Sequence, residues 1–363
     1  MRSNGLDGIV VASPENVFYA TGCRIITQMM IRDRMAIALI PLDDEPILIV
    51  CEMERLQAEM ESRFREMRFY TEFKDDPIDL LGTVLNERRL RKARIGMEMN
   101  YISALNLRRL RKRTPDVEFR NCENMFDSMR MIKSKEEIEI LTRAARATEK
   151  SIYDAFDNTR RGDTELNIAK RIITNLVESG ADAVCCPSYF LVIGSGRRTP
   201  IAHAAPTGKR IREGELLRVD VGGMFSGYVS DIAAMAIVGK PTNRQTMIYH
   251  KLVQSYERVI EGIRPGISAA HLYNLCKEVF RKNGLPLCVP HIGHSLGLNV
   301  HETPMLQPFS NETIRKNMIL NIEPSIVPVG TTENYHIEDT ILVTKDGAEL
   351  LTDCQKELFR ISS

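Results

Sequence analysis

The sequence contains no tryptophan, few aromatic residues of any kind (6%) and no apolar run that approaches the length of a membrane span. A transmembrane helix needs about 20 consecutive apolar residues, so we expect no contact with a membrane. A large excess of charge of one sign is also missing, because 49 basic residues balance 48 acidic ones. The resulting net charge of +1 argues against nucleic acid as a partner.

Cysteines are scattered, and none of the eight forms a Cys-x-x-Cys pair. Cys185 and Cys186 are adjacent, which suits neither a zinc ribbon nor an easy disulfide. Asp7 interrupts the short apolar run near the N-terminus, unlike the apolar region of a signal peptide. We therefore expect reduced thiols and a cytoplasmic location.

The pattern along the 363 residues predicts two domains and an α+β fold class. Five strand-like runs (GIVVA, MAIALIPL, PILIV, ARIGMEM and VEFR) alternate with helix-like runs before residue 120, and residues 41–46 resemble a hairpin turn. Ser134 and Glu137 have the spacing of a capping box and predict the start of a long amphipathic helix. We expect a small α/β domain over residues 1–128 and a catalytic domain over residues 129–363.

The segment LLRVDVGGMFSGYVSDIAAMAIV has the pattern of a β-hairpin. Apolar residues alternate on both sides of Ser226 and Gly227, and this dipeptide suits a two-residue turn. Closing the hairpin there makes Phe225 face Tyr228 and Asp220 face Ala233.

This register places Asp231 on the same face as Asp220, within diagonal reach. Two carboxylates on one sheet face repel each other unless a cation or a shared proton intervenes. The alternative is that both are solvated residues on an exposed face.

Three further residues favour the metal-binding interpretation. Glu323 ends the apolar run ILNIEP, and Glu338 lies inside the β-rich run YHIEDTILV. A carboxylate in such a run needs a partner if it is buried, although that partner is more often a salt bridge than a metal. His294 lies in a glycine-rich loop. A single histidine in such a loop more often forms structural hydrogen bonds than binds a metal. Together with the two aspartates, these residues form a set of oxygen and nitrogen donors suited to divalent ions.

In this order, the motifs resemble those of the pita-bread metallopeptidases, which include prolidase, aminopeptidase P, methionine aminopeptidase and the creatinase relatives. The resemblance spans nearly the whole chain and implies a pita-bread C-terminal domain after a creatinase-type N-terminal domain. It also implies the metal ligands Asp220, Asp231, His294, Glu323 and Glu338. Such enzymes bind two divalent ions; Mn²⁺ is the expected metal, with Co²⁺, Fe²⁺ and Zn²⁺ as alternatives. Relatives are commonly homodimers, so we expect one here.

The implied activity is hydrolysis of the Xaa-Pro bond at the N-terminus of a peptide. Glu323 is expected to accept and pass on the proton of the attacking water, while His203 and His301 stabilise the substrate or its oxyanion. We expect His291 and His336 to contribute to substrate binding.

Several departures from the family pattern keep two other functions open. His336 and Met305 stand where prolidases carry arginines that could hold a substrate carboxylate. Ala233 replaces a threonine that follows the second aspartate. These changes leave room for a hydrolase of a small non-peptide C–N bond on the same scaffold. A catalytically inactive domain that serves as a binding module is the third hypothesis.

Overall fold

The computed structural model describes residues 1–31, 33–182, 191–287, 289–353 and 355–362. The chain divides into two compact units, Met1–Met129 and Arg130–Ser363. The adjacent Cys185 and Cys186 lie outside the described residues, whereas the described cysteines are free and buried: Cys23, Cys51, Cys122 and Cys276. Among the described helices, none combines the length and the apolar character that a bilayer crossing requires.

The first unit is an α/β sandwich built on one six-stranded sheet. Its strands are β1 (Gly8–Val11), β2 (Ile37–Pro41), β3 (Ile47–Cys51), β4 (Glu66–Tyr70), β5 (Arg94–Met97) and β6 (Glu118–Asn121). The helices that begin in this unit are α1 (Pro14–Thr21), α2 (Ile26–Met30), α3 (Arg55–Glu61), α4 (Pro77–Glu87), α5 (Ala104–Arg113) and α6 (Glu123–Met131).

The strand order of this sheet is β4-β3-β2-β1-β5-β6, and its two faces support separate hydrophobic cores. Along β1, Val10 faces one core while Ile9 and Val11 face the other. The five predicted strand runs are confirmed, and β2 and β3 form the predicted antiparallel hairpin. The edge strand β4 was not predicted, because its sequence EMRFY mixes charged and apolar residues, as edge strands often do.

The described part of the second unit contains four long helices and several small sheets. Its helices are α7 (Lys135–Asp157), α8 (Glu165–Glu178), α9 (Asn243–Glu261) and α10 (Ala269–Lys282). Its strands are β7 (Leu191–Ser195), β8 (Leu216–Val221), β9 (Met224–Phe225), β10 (Tyr228–Val229), β11 (Ile232–Val238), β12 (Gly293–Ser295), β13 (Glu302–Met305), β14 (Ile319–Ile322), β15 (Ser325–Ile326), β16 (Tyr335–His336), β17 (Asp339–Val343), β18 (Ala348–Leu350) and β19 (Phe359–Ile361).

Two of these sheets carry the candidate site. One has the order β19-β11-β8-β7, and the other has the order β13-β12-β14-β17-β18. The predicted hairpin register is confirmed, since Phe225 pairs with Tyr228 and Asp220 pairs with Ala233. Ser226 and Gly227 both have positive φ angles (50° and 83°), as a type I′ turn requires.

The long helix predicted to begin after Ser134 is also confirmed as α7. The Ser134 side chain accepts a hydrogen bond from the Glu137 amide, and the Glu137 carboxylate accepts one from the Ser134 amide. This capping box satisfies two backbone amides at the start of a 23-residue helix.

A buried carboxylate connects β5 to the start of α1 in the first unit. Glu98 is 3% exposed and accepts hydrogen bonds from the amides of Ala12 and Ser13, from the Ser13 hydroxyl and from the Asn16 side chain. Ser13 also caps α1 by accepting a hydrogen bond from the Asn16 amide. Glu98 therefore holds the end of β1 and the beginning of α1 in one polar network.

We expect Glu98→Gln to destabilise the first unit by about 2–3 kcal/mol, because the amide turns one acceptor into a donor that faces other donors. Calorimetry or denaturant unfolding would measure this loss. Glu118→Gln is the matched control, since Glu118 is exposed and pairs with Arg120 at the surface; its effect should stay within about 0.5 kcal/mol. Equal stability of the two variants would contradict the role given to Glu98.

Candidate metal centre

The four-stranded sheet positions the two aspartates. On β8, Leu217, Val219 and Val221 belong to the core that includes α7 and α8. Because side chains alternate along a strand, Asp220 faces away from these helices. Asp231 lies one residue before β11 and close to Asp220, and both side chains are buried. The alternative of two solvated aspartates on an exposed face is therefore wrong.

The five-stranded sheet contributes the other candidate ligands. His294 on β12, Asn321 on β14 and Thr340 on β17 are register partners on three adjacent strands, so they share one face. Glu323 follows the last residue of β14, and Glu338 precedes the first residue of β17. Both glutamates therefore lie at the same edge of this sheet.

The ring of His294 is oriented for ligation through Nε2. Its Nδ1 lies 3.1 Å from the carbonyl oxygen of Ser295, which assigns the proton to Nδ1. Nε2 then carries the lone pair, and it lies 3.3 Å from Glu323 Oε1 and 3.8 Å from Asp231 Oδ2. Gly293 permits this arrangement, because a Cβ there would lie 2.0 Å from the Asn321 carbonyl oxygen.

Donor atoms from these residues converge in three groups, and within each group they lie within 4.8 Å of one another. The groups are Asp231, His294 and Glu338; Asp220, His336 and Glu338; and His294, His301 and Glu323. The first two groups are buried and share Glu338. This arrangement would allow Glu338 to bridge two ions.

The carboxylates perturb one another strongly. Burial and the charges of Asp220 and Glu323 raise the pKa of Asp231 well above its ordinary value. Burial and the charges of Asp231, Glu323 and Asp220 likewise raise the pKa of Glu338. For Glu323, burial raises the pKa, but the neighbouring imidazoles of His291 and His294 outweigh this effect and leave the pKa well below its usual range. Such a cluster ionises fully only when a cation compensates its charge.

Several atoms aimed at the centre of the cluster have no hydrogen-bond partner among the described residues: Asp231 Oδ1, Glu338 Oε2, His294 Nε2 and Glu323 Oε1. Buried polar atoms normally have a hydrogen-bond partner. This concentration of unpaired acceptor atoms therefore indicates a binding site for cations. Carboxylate oxygens and imidazole nitrogens are ligands for Mn²⁺, Fe²⁺, Co²⁺ and Zn²⁺. The residues present thus fit a pair of divalent cations.

Asn321 supports the candidate ligands, although the sequence analysis did not identify it. Its side-chain amide donates to the Asp231 carbonyl oxygen at 2.6 Å and to Glu338 Oε1 at 2.9 Å. Its own oxygen accepts a hydrogen bond from the Thr340 hydroxyl. The position of Asn321 in the motif ILNIEP, two residues before Glu323, was the only available signal.

Arg218 is a second residue that the sequence analysis did not identify. Its guanidinium is buried and donates to Asp220 Oδ2 at 2.9 Å, and also to the carbonyl oxygens of Thr199 and Ala202. Ala202 precedes His203, so Arg218 joins Asp220 to the loop that carries this histidine. Side chains two residues apart on a strand share a face, so the position of Arg218 on β8 could have suggested its contact with Asp220.

A buried ion pair holds the loop between His294 and His301. Lys133 donates to the Ser295 hydroxyl at 2.9 Å and lies 3.4 Å from Glu302 Oε2. The other Glu302 oxygen accepts hydrogen bonds from two amides of this loop and lies 3.7 Å from Arg130 Nε. Both carboxylate oxygens of Glu302, the residue after His301, are therefore held in place.

The remaining predicted site residues occupy different settings. The ring of His301 lies 4.2 Å from that of His294, and His291 Nδ1 lies 3.3 Å from Glu323 Oε1. His203 is exposed and is absent from the three groups of potential metal ligands.

His336 is buried, in contrast to His203. Burial and the nearby charge of Arg218 lower the pKa of His336, while the charges of Asp220 and Glu323 act in the opposite direction. The net shift favours the neutral imidazole.

Known proteins share both the motifs and the fold of this chain. The family model described as metallopeptidase family M24 matches residues 139–345, and the creatinase/prolidase N-terminal domain matches residues 1–132. An Xaa-Pro dipeptidase from Pyrococcus furiosus is 28% identical over 359 residues, which cover 99% of this chain and 97% of the relative.

Solved structures agree with these matches. The prolidase from Pyrococcus horikoshii has a TM-score of 0.86 at 28% identity, with 99% of this chain and 97% of that chain covered. An X-Pro aminopeptidase from Thermotoga maritima has the same fold, with a TM-score of 0.88 at 23% identity and the same coverage. Since the matched catalytic region exceeds half of its length, the chain belongs to metallopeptidase family M24.

Proposed function

We propose that this protein is a dinuclear-metal hydrolase that cleaves the Xaa-Pro bond at the N-terminus of peptides. The observation that carries the proposal is the pair of buried ligand groups that share Glu338. Each group offers one aspartate, one histidine and the shared glutamate. Relatives described as Xaa-Pro dipeptidases supply the substrate class.

Two divalent ions in these groups would supply the positive charge that lowers the pKa of an attacking water and polarises the scissile carbonyl. Mn²⁺ is the proposed metal, because most of the ligand atoms are carboxylate oxygens. The homodimer and the cytoplasmic location expected from the sequence stay predictions.

The protein's own side chains would transfer the proton and stabilise the oxyanion. Glu323 has one oxygen without a hydrogen-bond partner and two histidines within 3.3 Å of it, so it can accept a proton and pass it to the leaving nitrogen. His291 orients this carboxylate. His301 and His203 are exposed, and we propose that they contact the substrate and stabilise the developing oxyanion.

Hydrolysis of a small non-peptide C–N bond is the second candidate function. It is favoured by Met305 and His336, which replace the two arginines expected of prolidases. Among the protein's own arginines, Arg198 is already paired with the buried Glu165 and with the Ala205 carbonyl oxygen. Arg218 is likewise held by Asp220.

A substrate panel tests the proposed activity. The purified protein is stripped with a chelator, reloaded with Mn²⁺, Co²⁺ or Zn²⁺, and assayed against Xaa-Pro peptides, alanine-only peptides and small cyclic amides. We expect metal-dependent cleavage of Xaa-Pro bonds and little cleavage of the alanine-only controls. Activity confined to the cyclic amides would support the second candidate, and equal cleavage of proline and alanine peptides would refute proline specificity.

Substrate length is a separate prediction. A charge-assisted hydrogen bond contributes about 1.5–3 kcal/mol, so a dipeptide carboxylate that lacks its arginine partner should bind about ten- to a hundredfold more weakly. We therefore expect a higher kcat/KM for Ala-Pro-Ala than for Ala-Pro with the same metal.

A matched pair of variants tests the cause of this preference. Met305 pairs with His294 across β13 and β12, so a longer side chain at position 305 lies on the site's face. Met305→Arg should raise kcat/KM for Ala-Pro relative to Ala-Pro-Ala, whereas the neutral Met305→Gln should not. A wild-type preference for Ala-Pro would show that the missing arginines do not limit dipeptide binding.

Removal of the Asn321 side-chain amide should weaken metal binding. Loss of a partner that orients a ligand typically costs about ten- to a hundredfold in metal affinity, so we expect this range for Asn321→Ala in calorimetric titration with Mn²⁺. Asn283→Ala is the control, because this amide donates to Ser255 in the helical part of the same unit. Unchanged affinity in Asn321→Ala, with circular dichroism like that of the wild type, would contradict the role of Asn321.

A further inference from the structure

His336 has an environment that its expected role in substrate binding does not explain. It ends the two-residue strand β16, opposite Ser325 on β15, and only 2% of its surface is exposed. By distance and angle, neither ring nitrogen makes a hydrogen bond of normal geometry with a described residue, although the Glu323 backbone lies close enough to influence the ring. Because a buried imidazole left unpaired loses its hydration without compensation, this position needs a ligand.

Distances show what the ring faces. His336 Nδ1 lies 3.8 Å from Asp220 Oδ2, and Nε2 lies 3.8 Å from Glu323 Oε2. These separations are too long for direct hydrogen bonds. Metal–ligand bonds of about 2.0–2.2 Å allow two ligand atoms of one ion to lie up to roughly 4.3 Å apart. The gap between Nδ1 and Asp220 therefore has the size that a divalent ion fills.

The two buried groups also match in composition. One group joins Asp231 and His294 to Glu338, and the other joins Asp220 and His336 to Glu338. We propose that His336 is a metal ligand on the Asp220 side, so that each of the two ions has one imidazole. This assignment rests on the proposed dinuclear site and adds a sixth ligand to the five that the sequence motifs indicate.

Glu323 places a negative charge beside the second ring nitrogen. With Nδ1 assigned to the ion, Nε2 carries the proton and lies 3.8 Å from Glu323 Oε2. At this distance the carboxylate favours that tautomer through its charge and not through a direct hydrogen bond.

The additional imidazole also changes the expected metal preference. Without His336, the Asp220 side would offer mainly carboxylate oxygens, which suit Mn²⁺. An imidazole favours Co²⁺ and Zn²⁺ in addition. We therefore expect His336 to strengthen the binding of Co²⁺ at this side more than that of Mn²⁺.

Metal titration of the stripped protein tests the assignment without an activity assay. Wild type and His271→Ala, which removes an exposed histidine on α10, should bind two equivalents of Co²⁺. His336→Ala should bind one equivalent as before and the second at least about a hundredfold more weakly, because loss of an orienting partner alone costs about ten- to a hundredfold. The corresponding loss for Mn²⁺ should be smaller.

Two further measurements test the assignment even if His336→Ala does not fold. His336→Leu is a replacement of similar size without a ligand atom; its fold is checked by circular dichroism, and it should show the same loss. In the Co²⁺-loaded wild type, proton NMR should show two strongly shifted imidazole N–H signals, one for each ligating histidine. A single shifted signal, or two unaltered Co²⁺ affinities in a folded His336 variant, would overturn the assignment.

These outcomes separate this inference from the proposed function. Two bound equivalents with the predicted His336 effect but no cleavage of Xaa-Pro peptides would uphold the ligand assignment and refute the substrate proposal. A wild type that binds no divalent ion would refute both. Normal cleavage of Xaa-Pro peptides together with two unaltered affinities in His336→Ala would refute the ligand assignment alone.

Discussion

Mutual repulsion among Asp220, Asp231 and Glu338 is the constraint on which the second unit depends. All three are at least 94% removed from solvent, so water cannot screen their charges. The raised pKa values of Asp231 and Glu338 express the same strain. Such a cluster is fully ionised only if a cation offsets its charge, and the unpaired oxygens within it are where that cation would bind.

The surrounding residues hold this unfavourable arrangement in place and neutralise only part of its charge. Asn321 ties the Asp231 backbone to the Glu338 carboxylate, and Arg218 offsets part of the charge at Asp220. Lys133 and Glu302 fix the loop that follows His294. Rigid support of this kind matters because a catalytic site loses much of its rate when its groups move by about 1 Å. The two sheets thus supply rigidity, and the charge that they leave uncompensated supplies metal affinity.

Much of this organisation was predictable from local patterns. Alternation on β8 and β11, with Ser226 and Gly227 at the turn, predicted the pairing of Asp220 with Ala233. The spacing of Ser134 and Glu137 predicted the start of α7. The edge strand β4 escaped prediction because charged residues interrupt its apolar pattern. The family motifs selected five candidate ligands, whose donor atoms the structure brings together and whose role as ligands is a proposal.

The sequence by itself therefore determined the fold family, the hairpin register and the identity of the motif residues, because strand alternation, turns and helix caps depend on neighbours a few positions away. Only the tertiary structure decided the partners of Asn321, Arg218 and His336. Asn321 and Asp231 are 90 positions apart, and their contact depends on how two sheets meet. The same holds for His336, which the sequence suggested as a substrate contact and the structure places between Asp220 and Glu323. Which carboxylates surround a buried imidazole is set by packing across sheets, and no periodicity along one strand encodes it.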